Sequence, residues 1–233
     1  MGSLFQNLAV ADVHQCLFRN IVSLRESEDL FDDLSDDEAD QQIALSFEMN
    51  TKPSWYVSNN PIIDRPFEES TWNDAVEYPF REWAQSRFSD GTYGVWYGSD
   101  SLETTLHETV FHWTKFLDDS DFLDESVSIQ RKVDTVQCDA ALLDFRPHVD
   151  EHPALIHSTD YSFSHQIGSR IKREGHPGLV TISARCEGEN FAIFNASVLS
   201  NPHQECYLTY RKSENEINVE RRPGEIVLVI SLH

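Results

Sequence analysis

The sequence predicts an α+β domain with a mostly antiparallel sheet, and three observations carry that prediction. Six short segments rich in β-branched and aromatic residues (VSIQRKV, AALLDFR, LVTISAR, NFAIFNAS, CYLTYRK and EIVLVISL) follow one another mainly through turn-like sequence. Helical periodicity separates only some of them, which favours segregated helices over the strict alternation of a doubly wound sheet. No strand is followed by G-x-G-x-x-G and no G-x-x-x-x-G-K is present, so the two commonest ways of cradling a pyrophosphate on a helix N-terminus are missing.

In chain order, residues 1–25 place Leu4, Leu8, Val10, Val13, Leu17 and Ile21 at helical spacing, which predicts a helix. Residues 26–40 hold nine carboxylates in fifteen positions. Their mutual repulsion predicts a solvated connector, until Ser35 and Glu38 offer a capping box for another helix. Between Lys52 and Pro66 three prolines and the Asn59-Asn60-Pro61 turn break regular structure, while Trp55, Tyr56, Ile62 and Ile63 supply groups to pack: an ordered surface crossing. Residues 1–75 thus read as a helical and acidic extension packed on a core of residues 76–233.

Within that core, Gly91 and Gly94 bracket a turn into the short strand Val95-Trp96-Tyr97. Leu106, Val110, Trp113 and Leu117 recur at i, i+4, i+7 and i+11, so residues 102–117 form an amphipathic helix with that stripe inward. Residues 159–174 form a second helix, closed by Gly175.

Composition narrows the function. With 40 acidic against 18 basic residues the formal net charge is −22, which repels phosphate backbones and anionic lipid. Nucleic acid is therefore not expected as a partner, and an anionic small molecule would need a locally basic pocket. Solubility by acidity is the plain reading of the charge; an acidic face docking a basic protein is the alternative. No apolar run approaches the roughly 18 residues that span a bilayer, and the N-terminus lacks a cationic leader. Cys16, Cys138, Cys186 and Cys206 form no C-x-x-C pair, which suits reduced thiols and a cytoplasmic location.

Several chemistries fail on spacing. His107-Glu108 with His112 resembles a zinc motif, but five residues turn about 140° around a helix, so the two imidazoles diverge. His148 and His152 have the right separation, yet Pro147 and Pro153 flank a loop and no further ligand completes a site. No metal or prosthetic group is expected. A G-x-S-x-G elbow is absent, and nothing around Cys186 marks a nucleophile.

The stretch RFSDGTYGVWYGSDSLETTLHETVFH is more informative. Arg87 precedes a glycine-bearing turn, Tyr97 ends a strand ten residues later, and Glu108 follows on the next helix with His112 one turn beyond. This order resembles the RES domain, the toxin component of RES–Xre toxin–antitoxin pairs. A second block, GHPGLVTISARCEGENFAIFNAS, resembles that family's later strand pair, with Ser183 as its serine and Asn190 and Asn195 in its asparagine-rich return. The likeness runs from about Phe80 to Leu199. Gln85-Ser86-Arg87-Phe88-Ser89 stands where the family often has glycine-glycine-arginine-tryptophan-asparagine, and Ile182-Ser183 where it has proline-serine.

The resemblance implies an ADP-ribosyltransferase-like fold and an enzyme that consumes NAD as substrate by breaking its nicotinamide–ribose bond, as a glycohydrolase or phosphorylase. A protein ADP-ribosyltransferase is the variant on the same step. It implies Arg87 as a phosphate clamp, Tyr97 as an orienting ring, Glu108 as the carboxylate beside the reacting ribose, and Ser183 as a hydrogen-bonding partner near the scissile bond. His112 and Asn195 join the substrate-binding set. An Xre-type antitoxin and a homodimer are the implied partners. The reading from another class is a non-catalytic acidic interaction module that kept the fold. Without the resemblance, Glu108, His112 and Lys115 lie opposite the apolar stripe and read as a solvated face.

Overall fold

The structure is a computed structural model and describes residues 2–6, 8–23, 72–120, 126–213 and 215–232. A long antiparallel ladder organises it. Strand β1 (Ala9–Val22) pairs with β5 (Ser128–Asp144) along its whole length, from Ala9 opposite Asp144 to Val22 opposite Arg131. The helix expected over residues 1–25 is therefore confined to α1 (Gly2–Gln6), and the rest is strand. The reason is arithmetic: Val13, Leu17 and Ile21 are four apart, and four is a multiple of two, so helix and strand put them on one face equally well. β-Branched Val10, Val13, Ile21 and Val22 and a partner strand more than a hundred residues away decide the outcome. Residues 9–22 are thus built into the sheet of the core. The acidic connector and the proline-rich crossing lie outside the described residues.

The far edge of β5 is shared by two neighbours. Its first part pairs antiparallel with β8 (Leu199–Lys212) and its end, at Leu143 and Asp144, pairs parallel with β6 (Gly178–Ile182). Strand β6 continues antiparallel to β7 (Glu189–Ile193), β7 to β4 (Trp96–Ser99), and β4 returns to β1 where Phe18 faces Ser99. Five strands thus close a ring in the order β1–β4–β7–β6–β5. From it β8 leads outward to β9 (Glu216–Arg222) and β10 (Glu225–Ser231). All pairings except β5–β6 are antiparallel, so the α+β expectation with a mostly antiparallel sheet holds.

Two expected strands, VSIQRKV and AALLDFR, are one. The polar residues between them do not break β5, because Val136 and Cys138 point inward while Gln137 and Asp139 alternate outward. Strand β9 was not among the expected segments. Its signal is the alternation of buried Ile217 and Val219 with Asn218 and Glu220, within a run otherwise dominated by charge.

Helix α3 (Leu102–Asp119; α2, Tyr78–Arg81, precedes it) buries Leu106, Val110, Trp113 and Leu117 as the periodicity requires, against Val133, Leu208, Tyr210, Ile217 and Val219. Ser101 caps it by accepting the Thr104 N–H at 3.1 Å. Helix α4 (Ser162–Glu174) places Ile167 and Ile171 among Phe88, Phe145, Leu179 and Ala192, and ends at Gly175 with φ 77°. A buried polar network locks α3 to the sheet. Arg131 Nε donates to Asn20 Oδ1 at 2.6 Å, Asn20 Nδ2 donates to the Tyr210 hydroxyl at 2.8 Å, and that hydroxyl bonds Thr109 at 2.8 Å. Satisfied networks of this kind specify one arrangement of the elements they join, and Thr109 is the neighbour of Glu108. Among the described residues no helix is long and apolar enough to cross a membrane.

Candidate active site

Glu108 projects from α3 toward the end of β6 and the start of β7. The Ser183 hydroxyl, just past β6, donates to Glu108 Oε1 at 2.6 Å, and Asn190 Nδ2, on β7, donates to the same oxygen at 2.7 Å. Neither donor engages Oε2. The amide of Asn190 has a fixed sense, since its Oδ1 accepts from the Ser99 hydroxyl at 2.8 Å and its nitrogen must then face the carboxylate. Ser183 is held likewise: its Oγ accepts the Arg185 N–H at 3.0 Å. One carboxylate oxygen is thus fixed by two donors, each oriented by a further partner.

Local sequence explains this convergence. Registers Tyr97 opposite Ala192 and Ser99 opposite Asn190 put Tyr97, Ser99, Asn190 and Ala192 on one face of the β4–β7 pair. The loop from Ser183 to Gly188 closes on itself through the Ser183 N–H to the Gly188 carbonyl at 2.7 Å. Gly188 then lies against α3 so closely that a Cβ there would stand 2.1 Å from Thr104 Oγ1. Only glycine allows the serine loop this approach to the helix that carries Glu108.

Tyr97 and Arg87 form the adjoining wall. The Tyr97 hydroxyl accepts the Phe88 N–H at 2.9 Å and bonds Ser86 at 2.9 Å, which pins the hairpin of β2 (Gln85–Ser86) and β3 (Ser89–Asp90) over β4. Burial pushes its pKa up to about 12, so it stays protonated at neutral pH and acts as a hydrogen-bonding group. Replacing Tyr97 by Phe is expected to cost about 1–3 kcal/mol in urea unfolding, because the Phe88 N–H loses its acceptor. An unchanged midpoint would mean that water replaces the hydroxyl.

Arg87 does not pair with Asp90, whose Oδ1 is taken by the Thr92 hydroxyl and N–H. Instead its Nη1 donates to the carbonyls of His157 at 2.8 Å and Leu155 at 3.4 Å, and its guanidinium lies 4.7 Å from the centre of the Tyr161 ring. Arg185 completes this wall: Nη2 donates to the Ser158 carbonyl at 2.6 Å, and the guanidinium lies 3.3 Å from the Phe111 ring centre. His112, one turn after Glu108, is open to solvent at its surface. Even so, its pKa lies below the usual imidazole value, first because of the protein packed around it, with Glu108 opposing and the Arg185, Arg87 and Arg131 cations reinforcing.

The structure therefore brings Glu108, Ser183 and Asn190 into direct contact, with Arg87, Tyr97 and His112 around them. Asn195 stands apart. It lies beyond the other end of β7, five residues from Asn190 or roughly 17 Å of strand, and its Oδ1 caps a short helical turn by accepting the Ser197 N–H. Ser99 and Arg185 did not emerge from sequence reasoning. Their signals are positional: Ser99 follows Tyr97 by two residues, and Arg185 follows Ser183 by two.

Comparison with known proteins gives one family. The RES domain model matches residues 63–213, a span that contains every residue of this cluster. A search of the curated proteins finds no match. Among solved structures, the chain is similar to the M. tuberculosis MbcT–MbcA toxin–antitoxin complex. The identity there is 11%, the match covers 89% of this chain and 90% of that one, and the TM-score is 0.49.

Proposed function

Since the chain belongs to the RES-domain family, whose model covers residues 63–213 of 233, we propose that it is an NAD-consuming enzyme that breaks the nicotinamide–ribose bond. The observation that carries this reading is the Glu108 carboxylate: one oxygen is held by Ser183 and Asn190, and two guanidiniums stand on the adjoining wall. The carboxylate is thereby oriented without being neutralised by an ion pair.

The chemistry needs that arrangement. When the bond between C1′ and the pyridinium nitrogen breaks, its electron pair goes to nitrogen and nicotinamide leaves neutral, so little acid catalysis is required. Positive charge accumulates on the ribose. A carboxylate already aimed at it stabilises the oxocarbenium character without reorganising. The acceptor, water in a glycohydrolase or phosphate in a phosphorylase, adds to C1′ as the bond to nicotinamide breaks, and its proton passes to solvent. Arg87 binds the phosphate side of the substrate through a planar, bidentate donor.

The test is release of free nicotinamide from NAD by the purified chain, followed chromatographically with and without added phosphate. Nicotinamide should appear, and the companion product, ADP-ribose or its 1″-phosphate, names the acceptor. No release under either condition overturns the reading.

A further inference from the structure

We propose that Arg185 and Arg87 together form a two-guanidinium site for a diphosphate, with Arg185 the specificity-determining residue that separates a dinucleotide or nucleoside diphosphate from a monophosphate. This deepens the NAD reading and rests on it for the identity of the substrate.

Arg146 takes Asp144 and Glu189, Arg170 takes Glu174, and Arg211 takes Glu220. Arg19, Arg81 and Arg131 donate to neutral groups away from Glu108, the Tyr97 carbonyl, Asn73 and Asn20, so what sets Arg87 and Arg185 apart is that both reach one segment beside the Glu108 site. Among the described residues, Arg87 and Arg185 are ion-paired with no carboxylate; they donate to main-chain carbonyls of the segment 155–158, and Arg185 also meets the Tyr161 side chain. The buried Nε–H of Arg185 has no hydrogen-bond partner at all. Neutral carbonyls are weaker acceptors than phosphate oxygens, so these donors gain by exchanging partners when an anion arrives.

The two cations are close enough for each to matter to the other: the pKa of Arg185 lies below the usual guanidinium value through burial, with Arg87 lowering it further and Glu108 opposing. Two guanidiniums beside a single carboxylate, neither ion-paired with it, leave an excess of positive charge that favours a ligand with more than one negative charge. Each guanidinium rests on its own ring, Arg87 on Tyr161 and Arg185 on Phe111, so they offer two separate forks, one for each phosphoryl group. Position agrees with the chemistry. Arg185 donates its own N–H to the Ser183 hydroxyl that holds Glu108, which places the diphosphate side of a substrate beside the carboxylate.

The experiment compares binding of ADP and AMP to the full chain by calorimetry, in wild type, Arg185→Ala and Arg185→Lys. Wild type should bind ADP about 10- to 100-fold more tightly than AMP, the range expected for one charge-assisted contact. Arg185→Ala should abolish that preference, leave AMP affinity unchanged in a chain that stays folded by thermal melt, and raise KM for NAD by a similar factor with a much smaller change in kcat. Arg185→Lys keeps the charge but loses the planar fork that rests on Phe111, so it should retain only part of the preference, and it stands in if the alanine variant does not fold. A full ADP preference in either folded variant, or none in wild type, overturns the proposal. Nicotinamide release by wild type is read separately, so loss of the clamp and loss of the NAD reaction are told apart.

Discussion

Glu108→Gln is expected to lower kcat for nicotinamide release by about 10²- to 10⁴-fold while leaving the fold and KM for NAD nearly unchanged. The substitution preserves shape. A glutamine oxygen in the place of Oε1 still accepts from Ser183 and Asn190, so the two oriented donors keep their acceptor and the helix keeps its position. What disappears is the negative charge beside the developing oxocarbenium ion. An interaction that strengthens only in the transition state shows in kcat and not in KM. Steady-state kinetics, together with thermal melts of both proteins, decide it. A variant that is folded and within a few-fold of wild type would remove Glu108 from the chemistry.

The largest effect on stability is expected at Trp96, where replacement by Ala should cost about 3–5 kcal/mol in urea unfolding. The indole is fully buried between the sheet and the turn at Asn73–Glu77, and its Nε1 donates to the Ala75 carbonyl at 2.7 Å. Gly98 packs so tightly on it that a Cβ there would stand 2.4 Å from the ring. The variant therefore loses apolar contacts on every side and leaves the Ala75 carbonyl without its donor. For a domain whose whole stability is on the order of 5–15 kcal/mol, this is a large share. Trp96 also precedes Tyr97, so activity should decline at temperatures where the wild type is unaffected. A loss of stability below about 1.5 kcal/mol, the scale of a conservative core swap, would mean that the cavity collapses and that the 73–77 turn is held by other contacts.

Between sequence and structure, the helices transferred best. The stripe Leu106–Val110–Trp113–Leu117 is local, repeats every turn, and has one geometric solution, so its burial follows from spacing alone. The same spacing misled at Val13, Leu17 and Ile21, where a period of four suits strand and helix alike. The polar side of α3 is the instructive case. Lys115 does face solvent, paired with Asp119, whereas Glu108, on the same side of the helix, is covered by Ser183 and Asn190. Periodicity shows which residues avoid the main core; it does not show that a second surface packs on them.

By itself the sequence determined the α+β class and the two principal helices, because these rest on local periodicity, whereas Arg87, Tyr97, Glu108 and Ser183 were singled out only through the resemblance of their order to the RES domain. The tertiary structure alone decided that residues 9–22 complete a strand ring, that Asn190 and not Asn195 meets Glu108, and that Arg185 joins Arg87. Each of these depends on which residues face one another across elements far apart in sequence. Asn190 and Asn195 differ in strand parity, and it is the register of Ser99 against Asn190, set by pairing across some ninety residues, that turns one of them toward the carboxylate.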